Sequence, residues 1–385
     1  MPIAPSLEDT QLDILPAVTM NLDISLNKLD RDWYTGGDKL TGEVSLRLAK
    51  STAVKSVLVS INGVSQTNIL KLTQEYPVGP GSETQTDCTV VLEESAQAFP
   101  TDGLSVETAY TLHEGVHKFP FEFELPLYSV PQGCEGSKAR QALILPPSCS
   151  DCDCNQVRYF VKAKVRKGSN LWTSSSCVTY FSFLPCDADL QLNSPQINVV
   201  ARGSFYKNWW NVVGNSAKTC KDHRWELKGL PVANAAVPYV PELLVTFLER
   251  ADLVVTEIEF SLASSTFVRA LNLKETIRKS TVLLKMKPNI QVKSGDKPVK
   301  LPLDLALRIP DSIPPDFTTS NMRRRYELVC EIKYQHENAV SAKHSVELNI
   351  PLQILSGFSI PNWPATTVTA CKRTYPMTPM YYKQS

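Results

Sequence analysis

The chain has 385 residues and a mass of 42.8 kDa, long enough for two medium domains, and its 43% apolar and 21% charged residues exclude wholesale disorder. Forty basic residues against thirty-nine acidic ones leave a formal net charge of +1, which excludes the strongly basic balance of a nucleic-acid binder. The halves are electrically opposite: residues 1–190 hold 15 Lys and Arg against 23 Asp and Glu, a net of −8, while residues 191–385 hold 25 against 16, a net of +9.

The first thirteen residues, MPIAPSLEDTQLD, show no basic segment followed by an apolar one, and no apolar run approaches the roughly 20 residues of a membrane span. No N-x-Ser/Thr sequon is present, and the ten cysteines stand in no extracellular context, so reduced thiols and a soluble, unsecreted chain are expected. Period-two rows of apolar residues then succeed one another, the signature of half-buried strands. Val18, Met20, Leu22, Ile24 and Leu26 make the first, Val57, Val59 and Ile61 the second, and Phe119, Phe121, Phe123 and Leu125 the third, with Glu122 and Glu124 on its opposite face. Further rows are Tyr159, Val161, Ala163 and Val165; Ile258, Phe260 and Leu262; Tyr326, Leu328, Cys330 and Ile332; and Val346, Leu348, Ile350, Leu352 and Ile354. Helical periodicity is scarce, and the spacing predicts only two short helices, around Glu93–Phe99 and Asn272–Ile277. With 27 prolines punctuating the rows, the expected class is all-β, built as antiparallel sandwiches.

An internal repeat makes two sandwiches the better reading. Leu143-Ile-Leu-Pro-Pro-Ser148 followed by Arg158-Tyr-Phe-Val-Lys-Ala-Lys-Val-Arg166 is echoed by Leu307-Arg-Ile-Pro-Asp-Ser312 and Arg325-Tyr-Glu-Leu-Val-Cys-Glu-Ile-Lys333, at offsets of 164 and 167 residues. The expected division is a first sandwich over 17–188, a second over 189–355, and a mobile Pro-, Thr- and Tyr-rich tail over 356–385.

These motifs, in order, resemble the arrestin family. Asp32-Trp-Tyr-Thr-Gly-Gly-Asp-Lys-Leu-Thr-Gly-Glu-Val44 is similar to the opening of its N-terminal domain, and Val57 to Gly63 (VLVSING) fits the strand that follows. Gly115-Val-His-Lys-Phe-Pro-Phe-Glu-Phe-Glu-Leu-Pro126 resembles the family's G-x-H-x-F-P-F-x-F-x-L-P run; Leu145-Pro-Pro-Ser148 and Arg158-Tyr-Phe-Val continue in the family's order, and Leu303 to Tyr334 resembles the second domain. The flavour is that of the fungal and animal α-arrestins. The resemblance implies two tandem immunoglobulin-like β-sandwiches, no catalysis and no cofactor. It implies a cytoplasmic adaptor, recruited peripherally to plasma membrane or endosomes, that binds cytosolic tails of transporters or receptors and brings a HECT-type ubiquitin ligase to them through PPxY motifs read by WW domains. A proline-preset extended segment with a Tyr for an aromatic groove is the physical content of such a motif. The chain departs there, for it has no PPxY. Thr378, Pro379, Met380 and Tyr381 in the tail form a degenerate match and are the candidate WW ligand; Leu125-Pro-Leu-Tyr128 has the LPxY form but ends a strand, which favours a structural role. The alternative within the same resemblance is a stoichiometric coat or scaffold subunit like the arrestin-like subunit of retromer.

Three clusters have competing readings. His113-Glu-Gly-Val-His117 matches HExxH, whose metal chemistry needs both imidazoles one turn apart on a helix, whereas Gly115 and the Phe alternation after Pro120 say strand. On a strand the two histidines stand roughly 13 Å apart, a poor fit to one tetrahedral ion. Cys149, Cys152 and Cys154 supply one CxxC-like knuckle where a zinc module shows two, so a plain loop is expected and no metal is assigned. Arg323, Arg324 and Arg325, with Lys285, Lys287 and Lys293, concentrate positive charge in the second half. Such a run is ordinarily a solvated face; its functional reading is contact with an anionic leaflet or an acidic cargo tail. Trp209 and Trp210 read as core rather than as an exposed anchor, and GxSxG, P-loop and strand-borne GxGxxG motifs are missing, so no enzyme is expected.

Overall fold

The structure, a computed structural model, describes residues 20–75, 79–100, 108–129, 143–151, 155–168, 175–187, 196–205, 221–235, 237–247, 252–295, 297–303, 305–336 and 343–358. The first half supplies β1 (Met20–Leu26), β2 (Lys39–Leu48), β3 (Thr52–Glu75), β4 (Gly79–Phe99), β5 (Tyr110–Leu112), β6 (Gly115–Glu124), β7 (Tyr128–Ser129), β8 (Leu143–Ile144), β9 (Cys149–Asp151), β10 (Asn155–Lys167) and β11 (Ser175–Phe181). The second supplies β12 (Ile197–Phe205), β13 (Lys221–Gly229), β14 (Val232–Asn234), β15 (Glu242–Phe247), β16 (Leu253–Ala270), β17 (Leu273–Met286), β18 (Ile290–Val292), β19 (Val299–Lys300), β20 (Phe317–Thr318), β21 (Met322–His336) and β22 (Lys343–Leu355). The fold is all-β, with no helix among the described residues and none long and apolar enough to cross a membrane.

In the first sandwich a three-stranded sheet, β1-β2-β6, faces a sheet ordered β11-β10-β3-β4; in the second, β12-β13-β15-β19 faces β14-β22-β21-β16-β17. The larger sheets are one design, with β10 and β21 each central between a long hairpin (β3–β4, β16–β17) and a closing strand (β11, β22). The period-two rows build both cores. Phe119, Phe121 and Phe123 of β6 are buried while Pro120, Glu122 and Glu124 point out, and Val57, Val59, Ile61, Val161 and Ala163 are wholly enclosed. Gly63 has a steric reason: a Cβ there would come within 2.6 Å of the Tyr159 ring, its cross-strand partner on β10.

Two expectations are corrected. Glu93–Phe99 is not a helix but the end of β4, in register with Val57 to Asn62 of β3, with Ala96 and Ala98 packed on the core. Asn272–Ile277 is the turn and first residues of the β16–β17 hairpin, where Leu271 takes the left-handed conformation at φ 53°. Cross-strand pairing overrides local helix preference in both. The repeat also shifts. Tyr159 donates its hydroxyl to the Pro146 carbonyl at 2.7 Å, and Tyr326 does the same to Pro314 at 2.7 Å. The Ser148 and Asp316 amides donate to the Phe183 and Ile354 carbonyls at 2.8 and 2.9 Å, while Ser148 Oγ and Asp316 Oδ1 accept the amides of those same residues at 2.9 and 3.0 Å. Leu145-Pro-Pro-Ser148 therefore corresponds to Ile313-Pro-Pro-Asp316, four residues later than the Pro-x-Ser match; Pro310 to Ile313 is an inserted turn closed by a 3.1 Å hydrogen bond.

The sandwiches share a buried seam. Val268, Ala270, Phe317 and Met322 of the second join the core of the first. At its centre the Asn321 side chain, 1% exposed, accepts from Ser65 Oγ at 2.7 Å and donates to the Ser65 carbonyl at 3.0 Å and Thr67 Oγ1 at 3.3 Å. Thr67 Oγ1 donates in turn to the Arg269 carbonyl at 2.6 Å, near the tip of the β16–β17 hairpin. A second clasp follows β22: Asp187 accepts from Ser356 N, Ser356 Oγ and Gly357 N at 3.0, 2.8 and 2.8 Å. Beside it, the Trp33 and Phe358 rings meet edge to face at 4.9 Å, and the Arg31 guanidinium, paired with Asp38, lies 4.6 and 5.1 Å from their centroids.

Asn321→Ala leaves buried groups of the first sandwich without partners and is expected to cost about 1–3 kcal/mol in denaturant unfolding. Asp316 yields a pH signature. Burial pushes its carboxyl up to about 7, against the opposing pull of the Ile354 amide and of Arg325. Between about pH 4 and 7 the folded chain holds a proton that the unfolded chain has released, so stability falls as pH rises across that window. Asp316→Asn, which keeps an oxygen for the Ile354 amide, is expected to gain on the wild type as pH rises from about 4 to about 7 and to hold a constant advantage above it, read from urea midpoints at pH 5 and 8.

Candidate functional site: a basic face on the second sandwich

The alternation that buries Tyr326, Leu328, Cys330 and Ile332 extends upstream and separates the three arginines. Arg323 and Arg325 are exposed on the outward face of β21, while Arg324 is 4% exposed on the inward face. There Arg324 Nε donates to Thr266 Oγ1 at 3.1 Å, and the guanidinium stands 5.8 Å from the Phe317 ring centroid. The run is thus two solvent-facing cations and one seam residue.

Strand register adds three cations. Arg323 lies opposite Phe267 of β16, and Phe267 opposite Thr276 of β17; Arg325 lies opposite Ser265, and Ser265 opposite Arg278; Arg269 lies opposite Lys274. All of these share the outward face, so Arg269, Lys274, Arg278, Arg323 and Arg325, each exposed, occupy three adjacent rows around the half-buried Phe267. Cross-strand neighbours on one face stand about 4.5–5.5 Å apart at Cβ. Two such cations about 8 Å apart repel by about 0.5 kcal/mol in water, a cost that an anionic partner removes. Arg325 Nη1 comes 3.6 Å from Asp316 and its Nη2 donates to Thr318 Oγ1 at 3.3 Å, which holds the guanidinium fork in place. Guanidinium forks of this kind match carboxylate and phosphate oxygens bidentately.

Lys285 does not belong to this surface. Its ammonium is 2.6 Å from Glu259 and 3.2 Å from Glu257, which Lys333 also contacts at 2.8 Å; hydrogen bonds from the two lysines hold the Glu257 carboxyl down at about 2. Lys287 and Lys293 are exposed beyond the hairpin. Phe267, Arg269, Lys274 and Arg278 were not singled out from the sequence. Phe267 and Arg269 sit at the outward positions of β16, and Lys274 and Arg278 on β17, where no apolar row marks the strand and Asn272–Ile277 reads locally as helix.

His117 Nε2 lies 2.8 Å from the His113 carbonyl oxygen, with Gly115 between them at φ 133°, and among the described residues no group of three or more His, Cys, Asp or Glu could hold a metal ion. Cys149 is a free thiol that burial pushes above its ordinary pKa; Cys152 and Cys154 lie outside the described residues. Leu125 is 1% exposed and bonded through its amide to Asp38 and its carbonyl to Gly37, so Leu125–Tyr128 cannot enter a WW groove without unfolding the strand end. Thr378, Pro379, Met380 and Tyr381 lie outside the described residues, as do Trp209 and Trp210.

Residues 22–180 match the family model described as arrestin (or S-antigen), N-terminal domain. The chain is also similar to an arrestin-related trafficking adapter 10 from Eremothecium gossypii, 33% identical over 99 residues, a segment that covers 24% of this chain and 23% of that relative.

Burial separates the arginines in a way that unfolding can read. Arg323→Glu is expected to stay within about 0.5 kcal/mol of wild type. Arg324→Glu, which places an anion in a pocket built for a cation, is expected to lose about 3–5 kcal/mol in the same denaturation experiment.

Proposed function

We propose that the chain is an α-arrestin-like, non-catalytic cytoplasmic adaptor whose basic sheet face engages acidic cytosolic segments of membrane transporters or receptors and promotes their ubiquitination and endocytosis. The observation that carries this reading is the set of five exposed cations in three adjacent cross-strand rows, without a matching set of carboxylates among the described residues, on the positively charged half of the chain. A rigid sheet holds these cations at fixed spacing, so an acidic segment pays the ordering cost alone. The Debye length at physiological salt is about 8 Å, so contact with cargo acids or with an anionic leaflet is short-ranged and weakens as salt rises. Peripheral recruitment to plasma membrane or endosomes follows from the same charges, each contributing about 1 kcal/mol near an anionic surface. Thr378, Pro379, Met380 and Tyr381 are the proposed WW ligand for a HECT-type ligase. The proposed domain division is 17–188, 189–355 and 356–385, with Ser356–Phe358 retained by the first sandwich through Asp187 and Trp33.

The test is a quantitative pull-down from cytosol and solubilised membranes with four forms of the chain: full length, one ending at Phe358, Tyr381→Ala, and Arg323→Glu/Arg325→Glu. Ending at Phe358 rather than Leu355 spares the Asp187 clasp. The double charge reversal is expected to lose acidic cargo at least tenfold while keeping the ligase, and the two tail variants are expected to do the reverse. Cargo capture unchanged by charge reversal removes the cargo assignment of this face. A fixed stoichiometric set of coat proteins that survives both changes replaces the adaptor with a retromer-like scaffold.

A further inference from the structure

Among the described residues, β17 has a hydrogen-bonded strand neighbour on one side only, β16, along its whole length from Leu273 to Met286. Lys274 to Thr276 and Arg278 to Val282 are exposed on both faces, so this stretch is covered neither by the opposing sheet nor by a loop. A long edge of unpaired amides and carbonyls is a template for another strand. The edge in the equivalent place of the first sandwich is β4, which carries Glu83, Asp87, Glu93 and Glu94 and no Lys or Arg. β17 carries Lys274, Arg278 and Lys279 against Glu275, besides the Lys285 that Glu257 and Glu259 already pair. The same position in one duplicated fold thus has opposite charge in its two copies, and only the second presents a cationic edge.

Resting on the adaptor reading above, we propose that this edge binds its acidic cargo segment as an added β-strand, hydrogen-bonded along Leu273–Met286 with alternate side chains on the basic face. Alternation sets the pattern the guest must have. On the outward face β17 presents Lys274, Thr276, Arg278, Ser280 and Val282 in succession, the last 54% exposed. A neighbouring strand places its own alternate residues about 4.5–5.5 Å from these. The preferred segment therefore has acids four residues apart, beside Lys274 and Arg278, and an apolar or β-branched residue four further on beside Val282, in one chain direction or the other. Proline within it is excluded wherever an amide must face β17. The edge cations also oppose a second copy of the same edge, which keeps the site open for an anionic guest.

The test uses the full chain and synthetic dodecapeptides of Thr with Glu at positions 3 and 7 and Val at 11, in this order and reversed, followed by fluorescence anisotropy and by amide hydrogen exchange. One of the two peptides is expected to bind, to weaken at least tenfold when alternate residues whose amides face β17 are N-methylated, and to be unaffected by methylation of the intervening set. It is expected to protect alternate amides within 273–286, and Lys274→Glu/Arg278→Glu is expected to abolish both effects. Binding that ignores both methylation patterns is electrostatic contact without strand addition and overturns the proposal while leaving the adaptor reading intact. Protection at another sheet edge also overturns it. Failure of the chain to bind any acidic peptide overturns both readings. Concentration-dependent self-association, lost in the charge-reversed variant, assigns the edge to the acidic β4 of a second copy and overturns the peptide assignment.

Discussion

A single buried amide decides where the second sandwich puts its cationic face. Asn321 sits at the start of β21, and both ends of its side chain bond to the first sandwich, at Ser65 and Thr67 of β3. Its own carbonyl accepts the Arg269 amide at 2.8 Å, so the hairpin tip is tied to the same point. An unmet amide costs far more when buried than when exposed, so sliding one sandwich over the other is penalised at this position. The apolar seam around Val268, Ala270, Phe317 and Met322 contributes area but little direction. The polar cluster supplies direction, and with it the orientation of the cationic rows that begin one residue away at Arg269 and two residues away at Arg323.

The two sandwiches solve one packing problem with one device and then diverge. Tyr159 and Tyr326 each brace a proline carbonyl, and Ser148 and Asp316 each close a two-way hydrogen bond, with Phe183 just past β11 and with Ile354 of β22. A neutral hydroxyl serves in the first copy. In the second, Arg325 stands 3.6 Å from the aspartate and partly offsets its burial. The charged corner is thus linked to the cationic face: Arg325 is one of the two groups that pull the Asp316 carboxyl down against its burial.

Most of the fold was legible because buried rows in strands have period two and the core repeats them. The row Tyr326, Leu328, Cys330 and Ile332 even contains the fate of Arg324, since the same parity carried two residues upstream points it inward. Reading the arginines as one patch ignored that parity. The hairpin was harder. Leu273 to Met286 buries almost nothing, so no apolar row marks it, and its Lys, Glu and Arg content favours helix locally. Its strand character comes from pairing with β16, a residue-to-residue match across the turn that no local window contains. The repeat was detected but misplaced by four residues, because Pro310-Asp-Ser312 imitates the Pro-Pro-Ser turn while the hydrogen bonds belong to Pro314 and Asp316.

A strand that buries little must be held by something other than its own core contacts. β17 is anchored by its pairing to β16, by Leu273 and Ile277 against the first core, and by Leu283, Leu284 and Met286 against the second. Between those anchors, Arg278 to Val282 spans the gap between the two cores as a ribbon exposed on both faces. Such a ribbon is anchored at both ends and, among the described residues, has no strand neighbour along one edge, so adding a strand costs little reorganisation of the host. Opposite charges on the equivalent edges β4 and β17 then make the choice of guest electrostatic, while backbone pairing makes it directional. Charge selects and the ladder orients, two separable contributions that a flat cationic patch on a helix or loop does not combine.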